Sequence, residues 1–126
     1  MPKRVLIADD TDFYRAMIYD ILTKGGYKVV GQAVNGAEAV AMAAELRPDI
    51  IVLDIIMPVK NGIDAAREIS SAPDPPIIVM CTSLGFEPIV AEAMRAGARA
   101  YIVKPLSSEQ VLKTLRCLYE PEHDAT

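Results

Sequence analysis

Ile50-Ile51-Val52-Leu53-Asp54 is the stretch whose reading decides the fold: four apolar residues in unbroken succession, then a carboxylate. Side chains alternate faces along a strand, so an apolar run without alternation describes a strand covered on both sides. That is the signature of a parallel sheet between layers of helices. Four further runs, Val5 to Ala8, Lys28 to Ala33, Ile77 to Cys81 and Ala100 to Val103, recur with it at intervals of roughly 20 to 27 residues, enough for a helix between each pair. Val5 to Ala8 and Ile77 to Cys81 are apolar with almost no alternation as well.

The intervening segments read as helices. After Asp12, the positions Tyr14, Met17, Ile18, Ile21 and Leu22 follow the 3.6-residue period, and Gly25-Gly26 supplies a left-handed stop. Asn35 with Glu38, and Ser107 with Gln110, fit the capping-box pattern and open helices near Gly36 and Ser108. Ile63, Ala66 and Ile69 mark a helix from Ile63 to Ser71 that Pro73-Asp74-Pro75-Pro76 ends, and Gly97 closes one carrying Ile89, Val90, Ala93 and Met94. The fold class is α/β: a doubly wound (βα)₅ three-layer sandwich around a parallel five-stranded sheet. Its expected strand order, 2-1-3-4-5, is the flavodoxin-like order common to such sheets and is adopted from them. Ligands of such sheets bind beyond the carboxyl ends of the strands, here at the edge shared by the first, third and fourth.

Composition sets the outer limits. A chain of 126 residues, 52% hydrophobic and 24% charged, suits one core, expected to form a single domain over residues 1–120 with a polar tail at 121–126. A net charge of -4 with scattered Lys and Arg argues against nucleic acid as a partner. Cys81 and Cys117 each lie in an apolar segment and are expected to be buried reduced thiols. Val5-Leu6-Ile7-Ala8 is too short for a secretory leader, and no stretch is of membrane-spanning length. No membrane partner and a cytoplasmic location are therefore expected.

The residues after each strand form one chemical set. The first strand ends in Asp9-Asp10, the third in Asp54, the fourth in Thr82-Ser83 and the fifth in Lys104-Pro105. Converging carboxylates repel one another unless a cation shares them. Oxygen-only ligands with open positions suit Mg²⁺, which binds a few carboxylates together with water and phosphate oxygens. Taken singly, each residue has a plainer role: an Asp solvating a loop, Lys104 in a salt bridge to one of the aspartates, Thr82 as a turn residue. Taken together, they describe a site for a phosphoryl group.

With Asn61-Gly62 and Gly97-Ala98 added, this ordered set resembles the receiver domain of two-component response regulators over residues 3–119, and Asp9-Asp10-Thr11-Asp12-Phe13-Tyr14-Arg15 is most similar to single-domain, chemotaxis-type members. The resemblance implies that Asp54 is the phosphoacceptor, taking its phosphoryl group from a histidine kinase or a histidine phosphotransfer domain. It implies that Asp10, Asp54 and the backbone carbonyl of Ile56 bind Mg²⁺ directly, with Asp9 acting mainly through a water. Thr82 and Lys104 would hold phosphoryl oxygens, and the peptide bond before Pro105 would be cis. Tyr101 stands at the family's aromatic switch position; on its own terms it also reads as a half-exposed aromatic on an edge strand. The responsive surface would be the fourth helix, fifth strand and fifth helix, carrying Glu92, Arg95, Arg99, Tyr101, Glu109 and Lys113. Its target would be a protein such as a flagellar-motor switch component or a phosphorelay partner.

Ile56 and Leu84 stand two residues after Asp54 and Thr82, where they flank the path of a hydrolytic water. Neither side chain can orient or deprotonate water, so slow self-dephosphorylation is expected. Phe13 and Tyr19 fall off the buried face of the first helix; they read either as docking points for a kinase or as residues partly covered by loops. The rival functions each lack a part. An aspartate-nucleophile phosphatase needs a second Asp where Ile56 stands, and a flavin carrier needs an uncharged phosphate loop where Asp9-Asp10-Thr11-Asp12 stands. A receiver that works without phosphorylation would have no need of all five site residues. A receiver forming part of a longer regulator with an output domain is the remaining alternative.

Overall fold

The computed structural model describes residues 2–119; the polar tail expected at 121–126 lies outside them. The elements alternate along the chain: β1 (Arg4–Ala8), α1 (Asp12–Lys24), β2 (Lys28–Ala33), α2 (Gly36–Leu46), β3 (Ile50–Leu53), α3 (Gly62–Ser70), β4 (Ile77–Thr82), α4 (Glu87–Arg95), β5 (Ala98–Val103) and α5 (Ser108–Tyr119). All strand pairs are parallel, in the order β2-β1-β3-β4-β5. The expected architecture is the observed one.

Both faces of the sheet are packed, which is why the runs do not alternate. Leu6, Ala8, Ile51, Leu53 and Met80 point to the side covered by α2, α3 and α4. Val5, Ile7, Ile50, Val52, Val79 and Cys81 point to the other, against Ile18, Ile21 and Leu22 of α1 and Val111 and Leu115 of α5. Each helix brings one apolar stripe to this core, as its 3.6-residue period requires.

Several local details differ from the sequence reading. Cys81 is buried, but Cys117 is exposed. The inward stripe of α5 runs through Val111 and Leu115, one turn apart, and Cys117 lies two residues further round the helix. At the start of α2, the Asn35 side chain accepts from the Glu38 amide at 2.8 Å, while Glu38 reaches back to the Val34 amide at 3.0 Å, one residue beyond the N-cap amide of the usual box. Of the two glycines after α1, Gly26 takes the left-handed conformation, with φ of 90°. β5 begins at Ala98, two residues earlier than its apolar run suggested.

Candidate functional site

Register brings the site together. β1 and β3 run side by side with Ala8 opposite Leu53, so Asp9 and Asp54 leave the sheet as neighbours. Thr82 pairs with Val103, so the next residue on β5, Lys104, emerges beside it. The ladder also extends one step past the strands: the Asp9 amide donates to Ala33 at 3.1 Å, the Asp54 amide to Ala8 at 2.9 Å and the Lys104 amide to Thr82 at 2.8 Å. The backbones of all three residues are thereby held by the sheet, and only their side chains can adjust. The Lys104-Pro105 bond is cis.

Gly62 explains itself at this edge. A Cβ there would fall 1.9 Å from the Asp54 carbonyl oxygen, so no other residue lets α3 start so close to the site. Asn61 caps the same helix, its side chain accepting from the Asp64 amide at 2.9 Å.

Lys104 joins the carboxylates. Its Nζ donates to Asp9 Oδ2 at 2.8 Å and to Asp54 Oδ2 at 3.2 Å, and its side chain is only 6% exposed. Asp9 is fully engaged, because its Oδ1 accepts from the Thr11 amide at 2.9 Å. Asp54 Oδ1 accepts from the Ile55 amide at 2.7 Å. Asp10 is exposed, and its side chain makes one long contact, with the Thr11 hydroxyl at 3.4 Å. Carboxylate oxygens of Asp9, Asp10 and Asp54 lie within 4.8 Å of one another, close enough for one cation to share.

The electrostatics point the same way. Burial pushes the Asp54 carboxyl above its ordinary value, more than Lys104 and the Thr82 hydroxyl can offset, and Asp9 adds to the rise. Burial would lower Lys104, yet its hydrogen bond to Asp9 and the charge of Asp54 raise it, so the ammonium form is secure. Three carboxylates against one ammonium leave two negative charges unmatched at the rim, which suits a divalent hard cation.

Thr82, the last residue of β4, is fully buried, and its hydroxyl accepts from the Leu84 amide at 3.4 Å. Tyr101 is half-buried; its hydroxyl donates to the Leu84 carbonyl, and its own ionisation is pushed up by burial and by Asp54. Ile56 is 54% exposed, and Leu84 is half-buried. Phe13 and Tyr19 on α1 are both exposed, as the helical period requires.

Two residues at the site were not singled out from the sequence. Arg15 donates to the Asp9 carbonyl at 2.7 Å and pairs with Asp12, bracing the turn that carries the carboxylates. Tyr14, counted above with the apolar stripe of α1, lays its ring under the Lys104 ammonium, 3.8 Å from Nζ to the ring centroid. An aromatic five residues beyond Asp9 was the available signal, but periodicity alone does not separate an inward face from a site-facing one.

A doubly wound sheet with a lysine and three aspartates at its switch point defines the receiver class of signalling proteins. Residues 5–116 match the response regulator receiver domain, and the chain belongs to that family. It is 49% identical over 115 residues to the chemotaxis protein CheY of Thermotoga maritima, spanning 91% of this chain and 96% of that protein. It is 44% identical to CheY of Bacillus subtilis over the same shares of the two chains. Among solved structures it resembles the CheX-CheY-BeF3-Mg complex from Borrelia burgdorferi, with a TM-score of 0.91 and 32% identity, covering 94% of this chain and 90% of that one.

Proposed function

We propose that this receiver is a chemotaxis-type regulator that accepts a phosphoryl group on Asp54, with Mg²⁺ beside it, from a histidine kinase or histidine phosphotransfer domain. The observation that carries the reading is the Lys104 ammonium shared between Asp9 and Asp54 beside an exposed Asp10. In transfer, an Asp54 oxygen forms a bond to phosphorus as the phosphorus–nitrogen bond of the donor histidine breaks, and the imidazole leaves with the electron pair. Lys104 and the Thr82 hydroxyl then hold phosphoryl oxygens.

Bound Mg²⁺ supplies positive charge to offset both the carboxylates and the incoming phosphoryl oxygens. Asp10, Asp54 and the Ile56 carbonyl would hold it directly. Asp9, whose two oxygens already serve Thr11 and Lys104, would act through a water. The domain reading is a single receiver over residues 1–120, working in the cytoplasm. No helix among the described residues is long and apolar enough to cross a membrane. A stand-alone role is supported by CheY relatives that are matched over 96% of their own length.

Output follows from the loop after β4. Thr82 and Tyr101 both bond to Leu84, one to its amide and the other to its carbonyl. When the Thr82 hydroxyl turns to the phosphoryl group, that loop is drawn in and Tyr101 must re-seat. The surface of α4, β5 and α5 changes with it, and its partner is a protein, such as a motor switch component or phosphorelay partner. Phe13 and Tyr19, exposed on α1, serve as docking points for the phosphodonor.

Incubation with Mg²⁺ and acetyl phosphate, followed by intact mass over time, tests the reading. Wild type gains one phosphoryl group and Asp54→Ala gains none; no gain by wild type overturns it. The same time course reads the shielding by Ile56: the phosphoryl group outlasts seconds and is lost faster in Ile56→Ala. A lifetime of seconds in wild type, or slower loss in the variant, contradicts it.

A further inference from the structure

We infer that Tyr14 is a positioning residue for Lys104: the face of its ring keeps the ammonium in place when the carboxylates that share it turn to other work. The inference rests on the phosphoacceptor reading of the site. Nζ sits 3.8 Å from the ring centroid, on a side chain 6% exposed. An ammonium has three N–H bonds. Two are directed to Asp9 and Asp54, and bulk water has little access to the third, so the electron-rich ring face takes its place. Phe13 braces the ring edge-on, with centroids 5.2 Å apart and planes at 77°.

The three contacts have different fates. Asp54 must loosen its hold on Lys104 to attack phosphorus, and Asp9, with its oxygens on Thr11 and Lys104, must also serve the water of a bound cation. The ring is neutral, offers no ligand to Mg²⁺ from its face, and competes with neither. It is the one contact of the ammonium that the step asks nothing of. An aliphatic leucine at this position would leave a four-carbon lysine side chain free to swing from the site at the moment its charge is needed.

The test uses the full chain with Tyr14→Phe, Tyr14→Leu and a series of increasingly fluorinated phenylalanines at this position, which drain the ring face of negative charge at nearly constant shape. Without metal or phosphodonor, proton NMR of wild type and Tyr14→Phe finds the Lys104 ε-methylene shifted upfield by the ring, and Tyr14→Leu loses the shift. With saturating Mg²⁺ and acetyl phosphate, Tyr14→Phe is phosphorylated within about twofold of wild type and Tyr14→Leu about tenfold more slowly, and the rate falls with each added fluorine. An unshifted Lys104 methylene in wild type overturns the contact whatever the phosphorylation assay reads. A normal rate for Tyr14→Leu, or fluorinated variants as fast as Tyr14→Phe, overturns the positioning role. A wild type that takes no phosphoryl group yet keeps the upfield shift overturns the functional reading, and the positioning role with it.

Discussion

At position 54 a carboxylate sits 6% exposed, beside an ammonium that it shares with Asp9. Its proton affinity is raised in the folded chain because burial outweighs that half-share of positive charge. A raised carboxyl favours protonation in the folded state, so stability falls as pH climbs from the unfolded value of 3.8 through the folded one, and the deficit persists at neutral pH. In metal-free buffer at pH 7, Asp54→Asn is therefore more stable than wild type. The gain shrinks toward acidic pH, and Mg²⁺ narrows it by stabilising wild type. Thermal melts with and without Mg²⁺ check this; a less stable Asp54→Asn at pH 7 would speak against it. Val59 carries a different strain. It is a β-branched residue at φ of 70°, 83% exposed, in the loop after Asp54. Left-handed backbone costs such a residue about 1–2 kcal/mol, more than the roughly 0.5–1 kcal/mol that glycine loses in chain entropy. Val59→Gly thus raises stability by up to about 1 kcal/mol in urea titrations.

Among the elements, β1, β3 and β4 were legible because their two-sided burial leaves an unmistakable mark: β3 was read to the residue, and β1 and β4 to within one; β2, only partly buried, was also read to the residue. The helix starts were legible where a cap is encoded. Asn35 is the clearest, and Asn35→Ala costs about 1 kcal/mol in chemical denaturation, since the Glu38 amide loses its acceptor at 2.8 Å. What stayed hidden depends on how helices sit on the sheet. The rotation of α1 decides whether Tyr14 joins Met17 against the core or turns its face to Lys104, and a 3.6-residue period does not carry that angle. The exposure of Cys117 is a similar case, an apolar residue just off the stripe of α5. The β5 start at Ala98 was missed because Ala98 and Arg99 lack the apolar run by which the other strands were found.

For the whole molecule, the sheet is the instrument that turns scattered residues into a site. Asp9, Asp10, Asp54, Thr82 and Lys104 span 96 positions of sequence from first to last, and their convergence was predictable only because parallel topology sends every strand's carboxyl end to one edge. The sharing of Lys104 between two carboxylates was not predictable, because it depends on the one-residue register between β1 and β3. The same architecture links site and surface: Thr82 and Tyr101 meet the loop after β4 from neighbouring strands, so a charge added at the rim is felt at α4 and β5. All of this stands on the claim that Asp54 receives the phosphoryl group and that the acidic cluster makes this depend on Mg²⁺. Borohydride reduces an aspartyl phosphate to homoserine, so peptide sequencing of the reduced protein locates the acceptor directly. After incubation with acetyl phosphate, homoserine is expected at position 54 with Mg²⁺ and none with EDTA; homoserine at another aspartate, or at 54 irrespective of metal, would contradict this role of Asp54.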